Sequence, residues 1–227
     1  MSLGYCNEYV YKNSILNNLL LRKYKLETTT LLNEFRIGKS IADLVFINGE
    51  VKVFELKTEL DTLSRLEAQL EDYKKVAEKI FIVANGKHIK QLEKSYSHLS
   101  FGIVELTNEL DLKIHKDAEV DNSCFEHTAL FKLLRKEEYL NVVNSLFGLV
   151  PEVPNTALFS TCLEMVKSVD IISFQSLIFA QLKARKLKEP ELLLSPNTPI
   201  ELRFLCHSLD LKENQYHSLF NLLSCNI

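Results

Sequence analysis

Residues 41–60 read IADLVFINGEVKVFELKTEL. Two β-branched, apolar runs, 41–47 and 51–57, flank Asn48-Gly49, a pair suited to the left-handed backbone of a tight turn. They predict two antiparallel strands. Ala42, Leu44 and Phe46 fall on one face of the first strand, and Ile41, Asp43, Val45 and Ile47 on the other. Along the second, Val51, Val53, Glu55 and Lys57 share a face, with Glu55 and Lys57 about 7 Å apart. Three charged groups therefore sit in strands apolar enough to be buried, where an ionised side chain is costly unless it is paired or binds a metal.

Whether Asp43 joins Glu55 and Lys57 depends on the turn. A strict two-residue Asn48-Gly49 hairpin pairs Ile47 with Glu50, sets Asp43 opposite Phe54 and sends Glu55 to the wrong side. A three-residue loop with Gly49 in the left-handed region, a bulge, or a local divergence of the strands brings all three together. One of these is the expectation.

Downstream, residues 59–78 carry Leu60, Leu63, Leu66, Leu70, Tyr73 and Ala77 at three- and four-residue intervals and predict an amphipathic helix. Gln69 and Tyr73 lie one turn apart on it, with Arg65 one turn before Gln69. The run 80–85, IFIVAN, follows that helix and reads as a buried parallel strand. A helix over 87–96 and a strand pair, FGIVEL and DLKIHK, complete an α/β unit near Ala118.

Upstream, residues 5–24 space Tyr9, Ile15, Leu16, Leu19 and Leu20 for a first amphipathic helix. Glu8 in its first turn either complements the helix dipole or supplies a further acid to a site. Residues 28–35 read as a strand, and 36–40 as a turn. Gly38-Lys39-Ser40 is not a phosphate-binding P-loop, because the motif needs a glycine where Asn33 stands.

Beyond Asp121 the sequence reads as successive helices punctuated by Pro151, Pro154, Pro190, Pro196 and Pro199, so the expected division is 1–120, an α/β unit, and 121–227, an all-helical portion. A helix-turn-helix DNA reader over 199–223 lacks a basic recognition helix, and packing on the α/β unit or on a second subunit is the better reading.

Of 227 residues, 46% are hydrophobic and 25% charged, the balance of a globular protein, and the net charge of −3 supplies no global basic field for nucleic acid. Such a ligand would need a local basic groove or bound metal. Cys6, Cys124, Cys162, Cys206 and Cys225 lack CxxC spacing and read as reduced and mostly buried thiols of a cytoplasmic protein. His88, His98, His115, His127, His207 and His217 show no metal-binding spacing. Neither a leader nor an apolar run long enough to cross a bilayer is expected.

Two carboxylates and a lysine on adjoining strands can hold a divalent cation that activates water and binds a phosphate oxygen, and oxygen donors suit Mg²⁺ or Mn²⁺. The reaction that this chemistry suits is phosphodiester hydrolysis. The pattern Asp43-x11-Glu55-Leu56-Lys57, with Gln69-x3-Tyr73 on the next helix, resembles the core of the PD-(D/E)XK nuclease superfamily over residues 5–118. The resemblance implies a restriction-endonuclease-like fold, a mixed central sheet flanked by helices. It implies that Asp43, Glu55 and the Leu56 carbonyl bind the metal, that Lys57 is the catalytic lysine, that Gln69 assists, and that Glu8 is a further acid. Ala42 stands where the family name has proline, a variable position.

Small bacterial nuclease-like proteins, some linked to mobile elements, defence or repair, resemble the chain most. Arg36, Lys39, Arg65 and Tyr73 are the candidates for nucleic-acid contact, with DNA the expected substrate. The competing expectation is a catalytically silent nuclease fold used as a binding or regulatory module, its helical half docking a partner or a second copy. The simplest reading of Glu55 and Lys57 alone is a solvated cross-face ion pair, worth little.

Overall fold

The structure is a computed structural model that describes residues 7–224; Cys6 and Cys225 lie outside the described residues. One mixed sheet of six strands runs in chain order. Its strands are β1 (Thr30–Ile37), β2 (Ser40–Asn48), β3 (Glu50–Lys57), β4 (Lys79–Asn85), β5 (Gly102–Leu106) and β6 (Leu112–Lys116). The first three form an antiparallel meander, β3, β4 and β5 are parallel, and β6 returns antiparallel. The parallel pairs require crossovers, supplied by helices α3 (Leu66–Tyr73) and α4 (Gly86–Tyr96).

Both faces of the sheet are covered, which is why the central strands read as continuous apolar runs. One face carries Val45, Ile47, Val51, Val53, Ile82 and Ile103 against Leu66, Leu70 and Tyr73 of α3 and Ile89 and Leu92 of α4. The other carries Leu44, Phe46, Phe54, Leu56, Phe81 and Val104 against Tyr11, Ile15, Leu16 and Leu20 of the first helix.

That first helix is a composite of α1 (Glu8–Ser14), a π-helical segment (Ile15–Leu20) and α2 (Leu21–Lys23). Asn7 caps it, its side chain accepting the Val10 N–H at 3.2 Å. Asn17 donates from its side-chain amide to the Asn13 carbonyl at 2.9 Å, the acceptor that the residue-17 backbone N–H would take in an α-helix. This competition accounts for the change of pitch.

The helix expected over 59–78 is shorter, Leu66–Tyr73. Asp61 Oδ2 accepts both the N–H and the hydroxyl of Thr58, each at 2.6 Å, and holds the chain after β3 in a turn. Leu60, placed on the apolar face by periodicity, is 74% exposed.

In the portion 121–227 the described regular elements are all helical: α5 (His127–Phe131), α6 (Lys136–Phe147), α7 (Asn155–Val166), α8 (Ile171–Lys183), α9 (Pro190–Leu194), a 3-10 turn (Ile200–Leu202), α10 (Arg203–Ser208) and α11 (Glu213–Ser224). Phe131, Val143, Cys162, Phe174 and Ile178 belong to the same apolar cluster as Val45, Ile47 and Val53 of the sheet. Phe204 of α10 reaches the opposite face, beside α1. The change at residue 121 is thus one of element type, within a shared core. Of the described cysteines, Cys162 and Cys206 are buried and Cys124 is exposed. No helix among the described residues is long and apolar enough to cross a membrane.

Candidate functional site

The register between β2 and β3 sets the geometry. Ile47 pairs with Val51 and Asn48 with Glu50, so the turn has odd parity about Gly49, whose φ of +73° needs glycine's freedom. Continued outward, this register reaches Leu44 opposite Phe54, and one residue further Asp43 stands opposite Glu55. There the paired ladder ends, and Asp43 Oδ2 accepts the Leu56 N–H at 2.7 Å. Asp43, Glu55 and Lys57 are brought together.

Helix α3 closes over the carboxylate of Glu55. Glu55 Oε1 accepts from Lys57 Nζ at 2.7 Å and from Gln69 Nε2 at 2.5 Å, while Gln69 Oε1 accepts from Lys57 Nζ at 3.0 Å. The Tyr73 hydroxyl lies 2.7 Å from Glu55 Oε2 and 3.0 Å from the Ile41 carbonyl. Gln69 and Tyr73 reach the same group because i and i+4 share a helix face. Glu55 is only 2% exposed and Tyr73 fully buried, so the ion pair is far better shielded than the solvated alternative. Burial and the Glu55 carboxylate push the Tyr73 phenol up from its usual value.

A second charged group comes from the first helix. Lys12, 3% exposed, pairs with Glu8 at 2.5 Å and with Glu34 at 3.2 Å. Glu34 sits on β1 between the rungs Asn33–Leu44 and Phe35–Ala42, level with Asp43, at φ +50°. Glu34, Asp43 and Glu55 thus form a row across three strands. Sequence reasoning missed Lys12, whose signal was a lysine one turn before Ile15 and Leu16 on the apolar helix face.

Burial, followed by repulsion from Glu55, pushes the Asp43 carboxyl up to about 7; the Leu56 N–H and Lys12 act in the opposite direction and Glu8 adds to the rise. Two crowded carboxylates, with the charge of Asp43 held back by burial and by repulsion from Glu55, fit a hard divalent cation. Asp43 Oδ1 accepts no hydrogen bond among the described residues. The donors are few, however: among the described residues no cluster of three or more His, Cys, Asp or Glu side chains is arranged to hold a metal. Asp43 and Glu55 would need the Leu56 carbonyl or a reoriented Glu8 to complete a shell.

Arg36, Lys39 and Arg65 are exposed, and their side chains make no ion pair among the described residues. The Lys39 turn is anchored to α3, since Asp72 Oδ2 accepts the Lys39 N–H at 3.0 Å and the Ser40 hydroxyl at 2.8 Å. Tyr73 lies inside the site rather than on its surface. Asp43, Glu55 and Lys57 line neither the ≈ 380 Å³ groove beside Tyr24 and Phe54 nor the ≈ 630 Å³ cavity beside β1.

A sequence model of the family described as Bacteriophage P4 protein cII matches residues 1–196. Protein cII of Enterobacteria phage P4 is 30% identical over 156 residues, covering 66% of this chain and 56% of that protein. The match therefore spans little more than half the relative's length. Among solved structures, the SPO1766 protein of unknown function from Silicibacter pomeroyi aligns over 41% of this chain and 62% of its own, at 16% identity and a TM-score of 0.33. So small a structural likeness carries no argument.

Proposed function

This chain belongs to the Bacteriophage P4 protein cII family, and we propose that it is a divalent-metal-dependent nuclease with a PD-(D/E)XK-type, restriction-endonuclease-like core. The observation that carries the reading is the meeting of Asp43, Glu55 and Lys57 at the end of the β2–β3 ladder, braced by Gln69 and Tyr73. Asp43, Glu55 and the Leu56 carbonyl would hold Mg²⁺ or Mn²⁺, with Glu8 as a further donor. A bound ion supplies a water of lowered pKa and neutralises phosphate charge.

The chain's own groups do the remaining work. Lys57 presents an ammonium whose position Gln69 and Glu55 fix, beside the place where a phosphate would sit. Tyr73 restrains the free rotation of Glu55. Arg36, Lys39 and Arg65 supply local positive charge to a DNA backbone that the net charge of −3 would otherwise repel. The phage origin of the relative suits a mobile-element setting and a cytoplasmic place of action.

One observation favours a second reading, a silent nuclease fold acting as a binding or regulatory module. Both oxygens of the buried Glu55 already accept hydrogen bonds. Calorimetric titration with Mn²⁺, paired with nicking of supercoiled DNA, separates the two. Mn²⁺ binding and cleavage, both lost in Asp43→Ala, support the nuclease. A folded wild type that binds no Mn²⁺ supports the silent module, and cleavage that persists unaltered in purified Asp43→Ala removes the assignment.

A further inference from the structure

Helix α4 carries a line of cations that the Asp43 site does not use. Ile89 and Leu92 pack it on the sheet face that α3 also covers. At 3.6 residues per turn, Lys87, Lys90 and Lys94 then fall together on the opposite crest, with Gln91 beside them. All four are exposed, and the three lysines make no ion pair among the described residues. Their three- and four-residue intervals spread the charge over about 10 Å of helix.

The acids beside this crest are engaged elsewhere. Glu93, the one acid of the helix, lies on its flank 3.1 Å from His115 Nδ1, and Glu105, next to Gly86, lies 2.8 Å from His115 Nε2. Glu109 and Lys113, of opposite sign, share a groove with Lys87. Even with both carboxylates at His115 counted, the crest keeps an excess of positive charge. Its first member also stands where a cation is disfavoured. Lys87 lies in the first turn of α4, which holds no acid, at the positive end of the helix dipole. An external anion relieves both conditions.

The stripe starts at the end of the sheet that carries Lys57. Lys57 pairs with Ala84 across β3 and β4, and the next residue, Asn85, caps α4, its side chain accepting the Lys87 N–H at 3.0 Å. His88 Nε2 lies 3.1 Å from the carbonyl of Thr58, the residue after Lys57, and ties the first turn of α4 to the strand that carries the site. Helix α3, whose Gln69 and Tyr73 contact Glu55, covers the same sheet face as α4. Site and stripe are therefore neighbours on one side of the sheet.

We infer that the crest of α4 is a duplex-DNA interface, on which Lys87, Lys90 and Lys94 hold successive phosphates flanking the scissile bond and Gln91 adds a neutral donor. The inference rests on the nuclease reading and gives its substrate a direction, outward from Lys57 along α4. Three cations over about 10 Å match about three nucleotides of one strand, at about 3.4 Å each along the duplex axis. The crest carries no aromatic ring on which the bases of a single strand could stack. It supplies the local basic surface that a chain of net charge −3 needs to hold nucleic acid.

Fluorescence anisotropy of a labelled DNA duplex with the full chain in EDTA, over a series of salt concentrations, tests it. The triple variant Lys87→Gln, Lys90→Gln, Lys94→Gln is expected to bind at least about tenfold more weakly than wild type, with the slope of log affinity against log salt reduced by about three. Glutamine keeps the helix propensity, so this variant should remain folded. A charge-matched triple at exposed lysines of the helical portion, Lys132→Gln, Lys186→Gln, Lys212→Gln, should bind like wild type. The inference is overturned by a wild type that binds no DNA, by affinity and slope unchanged in the α4 triple, by an equal loss in the matched triple, or by polyglutamate competing as well as unlabelled duplex. Binding in EDTA is read without cleavage, so the two readings fail separately. A chain that binds through α4 but does not cut with Mn²⁺ upholds the interface and removes the nuclease, whereas one that cuts but binds indifferently to the α4 triple removes the interface alone.

Discussion

Asp43 on β2 and Glu55 on β3 stand opposite each other one residue beyond the last paired rung, Leu44 with Phe54. Their closeness is a product of turn parity, and it loads one point of the sheet with like charge that Lys57 answers on one side only. If that point is catalytic, Asp43→Ala and Lys57→Ala should each lower Mn²⁺-dependent cleavage by about a thousandfold or more, in the range expected when a group stabilising transition-state charge is removed. Initial rates on supercoiled and linear DNA measure it, with circular dichroism to verify folding.

The Asp43 carboxyl gives the metal-free protein a characteristic pH response. Its folded value of about 7 lies above its ordinary 3.8, so the folded state holds the extra proton, and Asp43's contribution falls as pH rises from about 4 through 7. His207, at about 4 against 6.5, contributes the opposite slope, with stability lost as pH falls. The Asp43 part is therefore read as a difference. Metal-free Asp43→Asn should melt higher than wild type at pH 8 and nearly alike at pH 4, and Mn²⁺ should raise the wild type alone. A gap that does not widen with pH defeats the prediction.

Gly38 and Gly49 both have positive φ, at +60° and +73°, but differ in their surroundings. A Cβ on Gly38 would stand 2.6 Å from Asp72 Oδ1, whereas one on Gly49 meets nothing within 4 Å. Gly49→Ala should cost about 1 kcal/mol from backbone strain alone, and Gly38→Ala about 1–3 kcal/mol, because it also displaces the clamp on Lys39 and Ser40. Urea denaturation of the two variants gives the order directly.

The shared core makes a prediction about cooperativity. Phe131 of α5 is fully buried in the cluster that includes Val45 and Val53 of the sheet. Phe131→Ala should destabilise by about 3–5 kcal/mol and shift a single transition monitored over the whole chain. Two separated transitions would mean that residues 121–227 fold apart from the sheet.

Period two was enough to put Glu55 and Lys57 on one face, and the helix carrying Gln69 and Tyr73 was legible from its i, i+4 spacing. The position of Asp43 was legible only as a condition on the turn, since Asn48-Gly49 is compatible with either parity. Leu60 misled because apolar spacing cannot report the competing Thr58–Asp61 turn. The packing of α5 to α8 on the sheet was legible only as one of two alternatives, the other being a second subunit, as an amphipathic face does not name what covers it. Lys12 was overlooked for a related reason. A lysine on an apolar stripe reads as a snorkelling surface residue until Glu34, distant in sequence, is seen to curl back towards it.

Lys12 offers the most discriminating variant. Its ammonium is a resident cation beside Glu8, Glu34 and Asp43, and a divalent ion at Asp43 and Glu55 must bind within its field. Replacing it with methionine keeps the stem that packs among the apolar residues but leaves the carboxylates unanswered. Metal-free Lys12→Met should therefore be less stable than wild type by about 1–3 kcal/mol. Its Mn²⁺ affinity at low ionic strength should rise by about tenfold, because one repulsive charge near the ion is gone. Calorimetry in low and high salt measures both the rise and its screening. If Lys12→Met lowers Mn²⁺ affinity while remaining folded, Lys12 orders the ligands more than it competes with the ion, and the electrostatic account of the site fails.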